Sequence, residues 1–283
     1  MAINITLISD WGNNNPYLSI FMGELLKNDI LHNVIVISND IAPNDFIDAN
    51  YLFNATWHHF PNDTIHLITI NSNISPDNGF LYINGFNHHF IAPNNGILYY
   101  YIHKYFNKLS IYKITNDNIK YQSFYELDYF IFAISNIYQK KSLQQWTKII
   151  TDEKEIIPYL FPMPSINNGI VIGEVIHIDN FGNIITNITN DFFQINLMDY
   201  KWQMSIRHYK IYKLSKGYID VNEQNIFAFF NSQDLLELGI KGFNASELLG
   251  VKKGEKFISK SLINAKTIKK ITFKKIKLSL QFN

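Results

Sequence analysis

The 283-residue chain contains no cysteine. That excludes disulfides, thiolate nucleophiles and cysteine-ligated metal. Charge is also sparse: 17% of residues are Asp, Glu, Lys or Arg, and the formal net charge is +1. A near-neutral chain exerts no general pull on nucleic acid or anionic lipid, so neither nucleic acid nor membrane is expected as a partner. No apolar run approaches the length of a membrane span. The first residues lack a basic-then-apolar leader, and the cytoplasm is the expected compartment. A Walker-type loop, a dinucleotide glycine fingerprint and a Gly-x-Ser-x-Gly elbow are all missing. The pairs His58-His59 and His88-His89 lack a third ligand at a metal-binding spacing, and neighbouring histidines point apart. No metal and no cofactor is expected.

What is present is a folding chain: 47% of residues are hydrophobic and 15% aromatic, enough for two domains. Asparagine, isoleucine and lysine are so common that sequons such as Asn54-Ala-Thr arise by chance. The first half alternates strand and helix patterns. Ile3–Ser9, Val34–Ser38 and Thr64–Asn71 read as strands. Between them lie a helix after Asn15-Pro16, with Asn15 as its cap, and another over Asp45–Phe60. This pattern predicts an α/β domain with a largely parallel sheet over residues 1–157. Short strands at Gly79–Ile83 and His88–Ala92 flank an Asn84-Gly85 turn signal. Helices are predicted over 95–105 and 127–139, and strands over 111–115 and 119–124. Residues 158–169 hold three prolines and an Asn-Asn-Gly turn and read as a linker. From residue 170 to 283 strands dominate, including 170–178, 184–188, 202–207, 209–214, 226–230 and 272–281. With one short helix at 244–249, this predicts a small all-β, barrel-like domain.

Three segments concentrate polar groups where an apolar pattern breaks. In Ser-Asp-Trp-Gly-Asn-Asn-Asn-Pro-Tyr (9–17), Asp10 stands where a buried strand ends and a helix is about to start. Ligands sit at such strand ends in open α/β sheets, although an acid there also favours the helix dipole. A carboxylate at this place can accept both hydroxyls of a ribose. In IDNFGNIITNI (178–188), Asp179, Asn183 and Asn187 recur every fourth residue among apolar neighbours, where each needs a partner. A plain hairpin around residues 180–182 is the simpler reading. In 229–250, Asn231-Ser232 follows a strand, and Gly242-Phe243-Asn244-Ala245 precedes a helix. Backbone groups at such a turn can read the edge of a base; alone, the segment reads as strand, turn and capped helix.

Taken together, these segments resemble the S-adenosylmethionine hydroxide adenosyltransferase family, which also contains fluorinase and chlorinase enzymes. SDWGNNNPYLSIFMGELL is similar to that family's opening Thr/Ser-Asp-Phe-Gly segment. IAPNDFIDANYLF, FPNDTIHLITIN, HHFIAPNNGIL, GEVIHIDNFGNIITNI and FFNSQDLLELGIKGFNASELLG follow in the family's order. The resemblance implies an N-terminal α/β domain and a C-terminal β-barrel. It also implies a homotrimer that binds S-adenosylmethionine between the N-domain of one subunit and the C-domain of the next. The implied reaction is displacement at the ribose C5′ carbon by water or halide, with methionine leaving and no cofactor needed. By position, Asp10 is then the ribose carboxylate and Trp11 a pocket wall. Asp179 takes the methionine ammonium, and Phe181 and Asn183 contact adenine. Asn231 and Ser232, with Glu237, lie near the methionine end. Asn244 and Ala245 present the backbone that reads the adenine edge, and Asn95 keeps its place in the HHFIAPNNGIL match.

The water-activating positions depart from the family pattern. The family's Asp after the third strand is Asn71, followed by Ser72, and the loop through residues 75–79 lacks the family's Arg. The family's His in Thr-Phe-His-Gly-Arg-Asp becomes Tyr125 in Ser123-Phe-Tyr-Glu-Leu-Asp128, and the Asp of Ala-Pro-Asp-Asn-Gly becomes Asn94. Asn and Tyr orient a water by hydrogen bonds but carry no charge to stabilise hydroxide. One reading is a divergent hydrolase that positions water with Asn71, Ser72 and Tyr125. The other is an adenosyl-compound binder with weak or no catalysis. The hydrolase is preferred because the substrate-holding residues survive. A halogenase reading rests only on the small hydroxyls of Ser72 and Ser123.

Overall fold

The computed structural model describes residues 2–72, 78–116, 123–167, 170–197 and 201–261. The predicted strand 272–281 and most of 119–124 lie outside these residues, as does the Asn-Gly pair at 168–169. The chain divides into two compact units, Met1–Phe161 and Pro162–Asn283.

In the first unit the elements run β1 (Ile3–Ser9), α1 (Tyr17–Lys27), β2 (His32–Ser38), α2 (Phe46–Thr56), β3 (Ile65–Thr69), β4 (Phe80–Gly85), β5 (His88–Pro93), α3 (Tyr99–Tyr105), β6 (Ser110–Ile114), α4 (Tyr125–Tyr138) and β7 (Thr147–Ile149). They form one sheet in the order β2-β1-β3-β5-β4-β6-β7. Parallel pairing joins β2, β1, β3 and β5. The remaining pairs are antiparallel, so β4 and β7 run against the other described strands. Alternate side chains of β1 feed two cores, as expected of a strand covered on both faces. Ile5 and Leu7 pack with Phe21, Leu25, Leu127 and Phe130 of α1 and α4. Ile8 packs with Phe46, Ala49, Phe53 and Ile102 of α2 and α3. The chain leaves β1 toward β2 on one side and returns across it to β3. The C-terminal end of β1 is therefore a topological switch point, and Asp10 is the next residue.

Two local expectations change. The β4–β5 turn is Phe86-Asn87, not Asn84-Gly85. Both turn residues have positive φ, 53° and 61°, as a two-residue hairpin turn requires, while Asn84 and Gly85 pair with His89 and His88. Gly85 lies against the tip of the Leu109 side chain, which a Cβ there would have to displace. Asn15 does not cap α1. Its Nδ2 donates to the Trp11 carbonyl at 2.6 Å, closing the loop after Asp10, and α1 begins at Tyr17 behind Pro16.

The second unit contains β8 (Ser165–Asn167), β9 (Ile170–Ile178), β10 (Ile184–Thr189), α5 (Asn190–Leu197), β11 (Trp202–Ile206), β12 (Tyr209–Ile211), β13 (Ile226–Phe230), β14 (Leu235–Ile240), α6 (Ala245–Leu249) and β15 (Lys256–Ser261). Its sheet is antiparallel, in the order β12-β11-β15-β9-β10-β14-β13, with β8 beside β9. The expected barrel is corrected: among the described residues no hydrogen-bonded ladder joins the end strands β12 and β13. Closure requires that ladder, and β12 spans only three residues. A second helix, α5, is also present. Among the described residues no helix is long and apolar enough to cross a membrane.

Candidate functional site

The structure separates the candidate residues into two pockets, one in each unit.

The first is a cavity of about 310 Å³ at the switch point, lined by Asp10, Trp11, Asn15, Tyr17, Pro43, Asn44, Asn71, Ser72, Ser123, Phe124 and Glu126. Asp10 is half-buried, and its Oδ2 accepts the Asn71 backbone N–H at 2.8 Å. Asn71 can offer that N–H because its backbone is left-handed, with φ 48°, a conformation asparagine tolerates. Asn95 fixes the same turn. Its Nδ2 donates to the carbonyls of Ile70 (2.8 Å) and Asn71 (3.0 Å), and its Oδ1 accepts from the Ile97 N–H at 3.1 Å. Asn95 is thus a positioning residue behind the cavity. On the other side of Asp10, Asn39 exchanges backbone and side-chain bonds with Gly12, 2.7 and 3.1 Å, and accepts from the Ser9 hydroxyl at 2.5 Å. Trp11 is buried and packs edge-on against Phe124 at 5.2 Å and Phe21 at 6.0 Å.

Of the predicted water-positioning residues, Asn71 and Ser72 line this cavity and Tyr125 does not. The Tyr125 hydroxyl donates to the Ser72 carbonyl, so it supports the turn from outside the cavity. Asn94 is spent elsewhere: it donates to the Glu155 carbonyl at 2.9 Å and accepts from Ile157 N–H at 3.0 Å.

Glu126, which sequence reasoning passed over, does enter the cavity. Only 7% exposed, it accepts the Trp11 indole N–H on Oε1 at 3.3 Å and shares the cavity wall with Ser72. Burial raises the Glu126 pKa above the ordinary carboxylate range, and the nearby Asp10 charge adds to the rise. Burial likewise raises Asp10, against the lowering effect of its backbone hydrogen bonds. A signal existed: Glu126, Phe130, Ala133 and Ile134 share one buried helical stripe, and a carboxylate on such a stripe is out of place.

The second pocket, about 540 Å³, is lined by Asp179, Phe181, Asn183, Tyr218, Phe227, Ile240, Lys241, Gly242, Phe243 and Asn244. Asp179 organises the β9–β10 turn. Its Oδ1 accepts from Phe181 N–H (2.9 Å) and Asn183 N–H (2.8 Å), and its Oδ2 accepts from Asn183 Nδ2 (2.9 Å). This fixes Phe181 outward, 79% exposed. Gly182, with φ 82°, lies against Asn244, whose side chain a Cβ at 182 would overlap. The Ser246 N–H donates to the Gly182 carbonyl at 2.9 Å. Asn244 caps α6 by accepting the Glu247 N–H at 3.0 Å, and Ala245 is buried as the first helical residue. Two segments about 60 residues apart in sequence thus meet, and exposed Phe181 and Phe243 both border the pocket they form.

Behind it, Glu237 is buried and accepts from the Tyr218 hydroxyl and from Asn231 Nδ2 at 3.1 Å. Asn231 Oδ1 accepts from Gln233 and Leu235 N–H, holding the β13–β14 turn, and Ser232 is exposed. Asn231, Glu237 and Ala245 therefore stand behind the pocket without lining it, and Ser232 does not line it either. Tyr218, packed on Phe227 and Phe229 at 5.4 and 4.9 Å, is a wall residue that carried no sequence signal. Asn187, the third polar residue of its series, bonds Glu174 N–H and the Pro162 carbonyl, both at 2.8 Å, and is structural. Among the described residues, no group of three or more His, Asp or Glu side chains stands together to hold a metal ion.

Comparison with known proteins agrees along the chain. The model of the SAM hydroxide adenosyltransferase N-terminal domain matches residues 5–147, and that of the C-terminal domain matches residues 173–258. A protein of Methanocaldococcus jannaschii named (R)-S-adenosyl-L-methionine hydrolase is 28% identical over 264 residues, covering 87% of this chain and 92% of that protein. Among solved structures, an uncharacterized conserved protein from Thermotoga maritima superposes with a TM-score of 0.76 at 22% identity, covering 91% of this chain and 99% of that one. A conserved hypothetical protein from Thermus thermophilus does so with a TM-score of 0.67 at 17% identity, covering 93% and 100%. The two structures share the fold.

Proposed function

Since the chain belongs to the SAM hydroxide adenosyltransferase family, we propose that it hydrolyses S-adenosylmethionine to adenosine and L-methionine. The observation that carries this reading is Asp10, placed at the switch point of the sheet in a polar cavity and held by the Asn71 N–H. A fixed carboxylate there accepts the two ribose hydroxyls and so aims C5′ at Asn71 and Ser72, which orient the attacking water. The sulfonium is already a good leaving group. Positioning and removal of bulk water then supply most of the acceleration. The second pocket is assigned to the rest of the substrate. Phe181 and Phe243 flank adenine, Asn183 and the Asn244-Ala245 backbone meet its edge, and Asp179 with Asn231, Ser232 and Glu237 serves the methionine end. A homotrimer, as the family resemblance implies, is part of the proposal and is read by light scattering.

A second reading has its own support. Tyr125 is committed to the Ser72 carbonyl, so two of the three expected water-positioning residues remain. A binder of adenosyl compounds without turnover would need no more. The deciding experiment incubates the protein with each sulfonium epimer of S-adenosylmethionine separately, since the M. jannaschii relative is named for the (R) form. Equal release of adenosine and methionine supports hydrolysis. Tight binding with no release above background supports the binder.

A further inference from the structure

We propose that Glu126 is the catalytic residue that takes the proton from the attacking water, and that its charge keeps halide out of the nucleophile's place. This rests on the hydrolase reading above. Among the described residues, no lysine, arginine or histidine lines the first cavity, and its carboxylates are Asp10 and Glu126. Asp10 is assigned to the ribose. A water that attacks carbon must lose a proton, and Glu126 is the other carboxylate that lines the cavity. Its placement suits the task. The Trp11 indole N–H holds one carboxylate oxygen, and Ser72 lines the same cavity at the water's place. The same buried acid is unfavourable for the fold, since no cation among the described lining residues offsets its charge. A role in chemistry accounts for a group that packing alone disfavours. Its upward-shifted pKa makes it a better proton acceptor than an ordinary surface carboxylate.

One O–H bond of water breaks in this step, and its proton passes to the Glu126 carboxylate. The oxygen lone pair forms the bond to C5′. The C5′–S bond breaks, and its electron pair neutralises the sulfonium as methionine. The protonated Glu126 then releases its proton to solvent. Chloride or fluoride needs no base and is repelled by an anionic Glu126.

The test uses the full-length protein, Glu126→Gln and Glu126→Asp, with S-adenosylmethionine as substrate and azide as a nucleophile that has no proton to lose. For Glu126→Gln the expected kcat is about 100-fold lower with KM within about threefold, and Glu126→Asp recovers part of the loss. Added azide should yield 5′-azido-5′-deoxyadenosine from Glu126→Gln. The wild-type kcat should fall on acidification through the raised Glu126 pKa. Glu126→Gln turning over water within about threefold of wild type overturns the proposal. So does loss of both water and azide products, or a wild-type profile with no acid limb, which also serves if the variants fold poorly. If the wild-type protein itself releases no adenosine, the hydrolase reading fails and takes this proposal with it.

Discussion

The two pockets differ in kind. The one in the first unit is the smaller, is built on a buried strand end and carries two carboxylates. The one in the second unit is larger and edged by exposed Phe181 and Phe243. It is organised by side chains such as Asp179 that are already hydrogen-bonded to their own turns. Charge held in a confined cavity costs stability and acts strongly on a reacting centre; aromatic edges recognise flat groups at little cost. On the proposed function, the difference places chemistry in the first pocket and recognition in the second. That division makes substitutions in the two pockets separable by kinetics.

The largest effect is expected from Asp10→Ala. Losing both ribose hydrogen bonds to a charged acceptor should lower kcat/KM by about 1000-fold. A loss confined to KM would move Asp10 to simple recognition. Gly182→Ala should strike the second pocket nearly as hard. It forces a left-handed φ on alanine and drives a methyl into Asn244. Thermal unfolding should show about 2–3 kcal/mol of destabilisation, and a variant as stable as wild type would contradict the close approach of these segments.

An acid titration sharpens the contrast further. His66 is buried in the first unit between Thr6 and His88, at 2.7 and 3.1 Å, and burial lowers its pKa to about 3. Burial lowers His88 and His89 as well. The unfolded chain therefore binds these protons first. The stability they contribute is complete above the ordinary histidine pKa and is lost as pH falls toward the folded value. His66 alone should cost about 2 kcal/mol on going from neutral pH to pH 5. Unfolding midpoints that do not move over that range would contradict it. Phe181→Ala should raise KM about tenfold and leave kcat unchanged, read from initial rates. The smallest effect belongs to Glu126→Gln as a stability change. The folded state holds the Glu126 proton to higher pH than the unfolded chain does. The resulting penalty is present above the folded pKa and absent below the unfolded one. Removing the charge should raise the neutral-pH midpoint by about 2 °C in calorimetry.

Much of this division was legible in the residues. The apolar run of β1 ending in Asp10 announced a buried strand with a ligand candidate at its end, and Asp10 lines the first pocket. The every-fourth spacing of Asp179, Asn183 and Asn187 marked the β9–β10 segment; Asp179 and Asn183 line the second pocket, and Asn187 does not. Other features were hidden for physical reasons. The eight-residue helix α5 buries only Phe193 and Leu197, too thin a stripe to show helical period. The strand β14 carries buried Glu237 in its middle, which breaks an apolar pattern until Tyr218 and Asn231 are seen to satisfy it. The Phe86-Asn87 turn lost to the stronger Asn-Gly signal beside it, although Asn84 and Gly85 sit in the ladder opposite His89 and His88. Tyr125 and Glu126 are adjacent in sequence, and only the orientation of α4 decides which of them faces the cavity.

One measurement bears most directly on the assignment of chemistry to the first pocket. Purified wild-type protein and Asp10→Ala are incubated side by side with S-adenosylmethionine in chloride buffer, and products are separated by chromatography and mass. Wild type should release adenosine and methionine in equal amounts, and Asp10→Ala only the spontaneous background. Equal turnover by the two proteins, or none by wild type, would contradict that assignment.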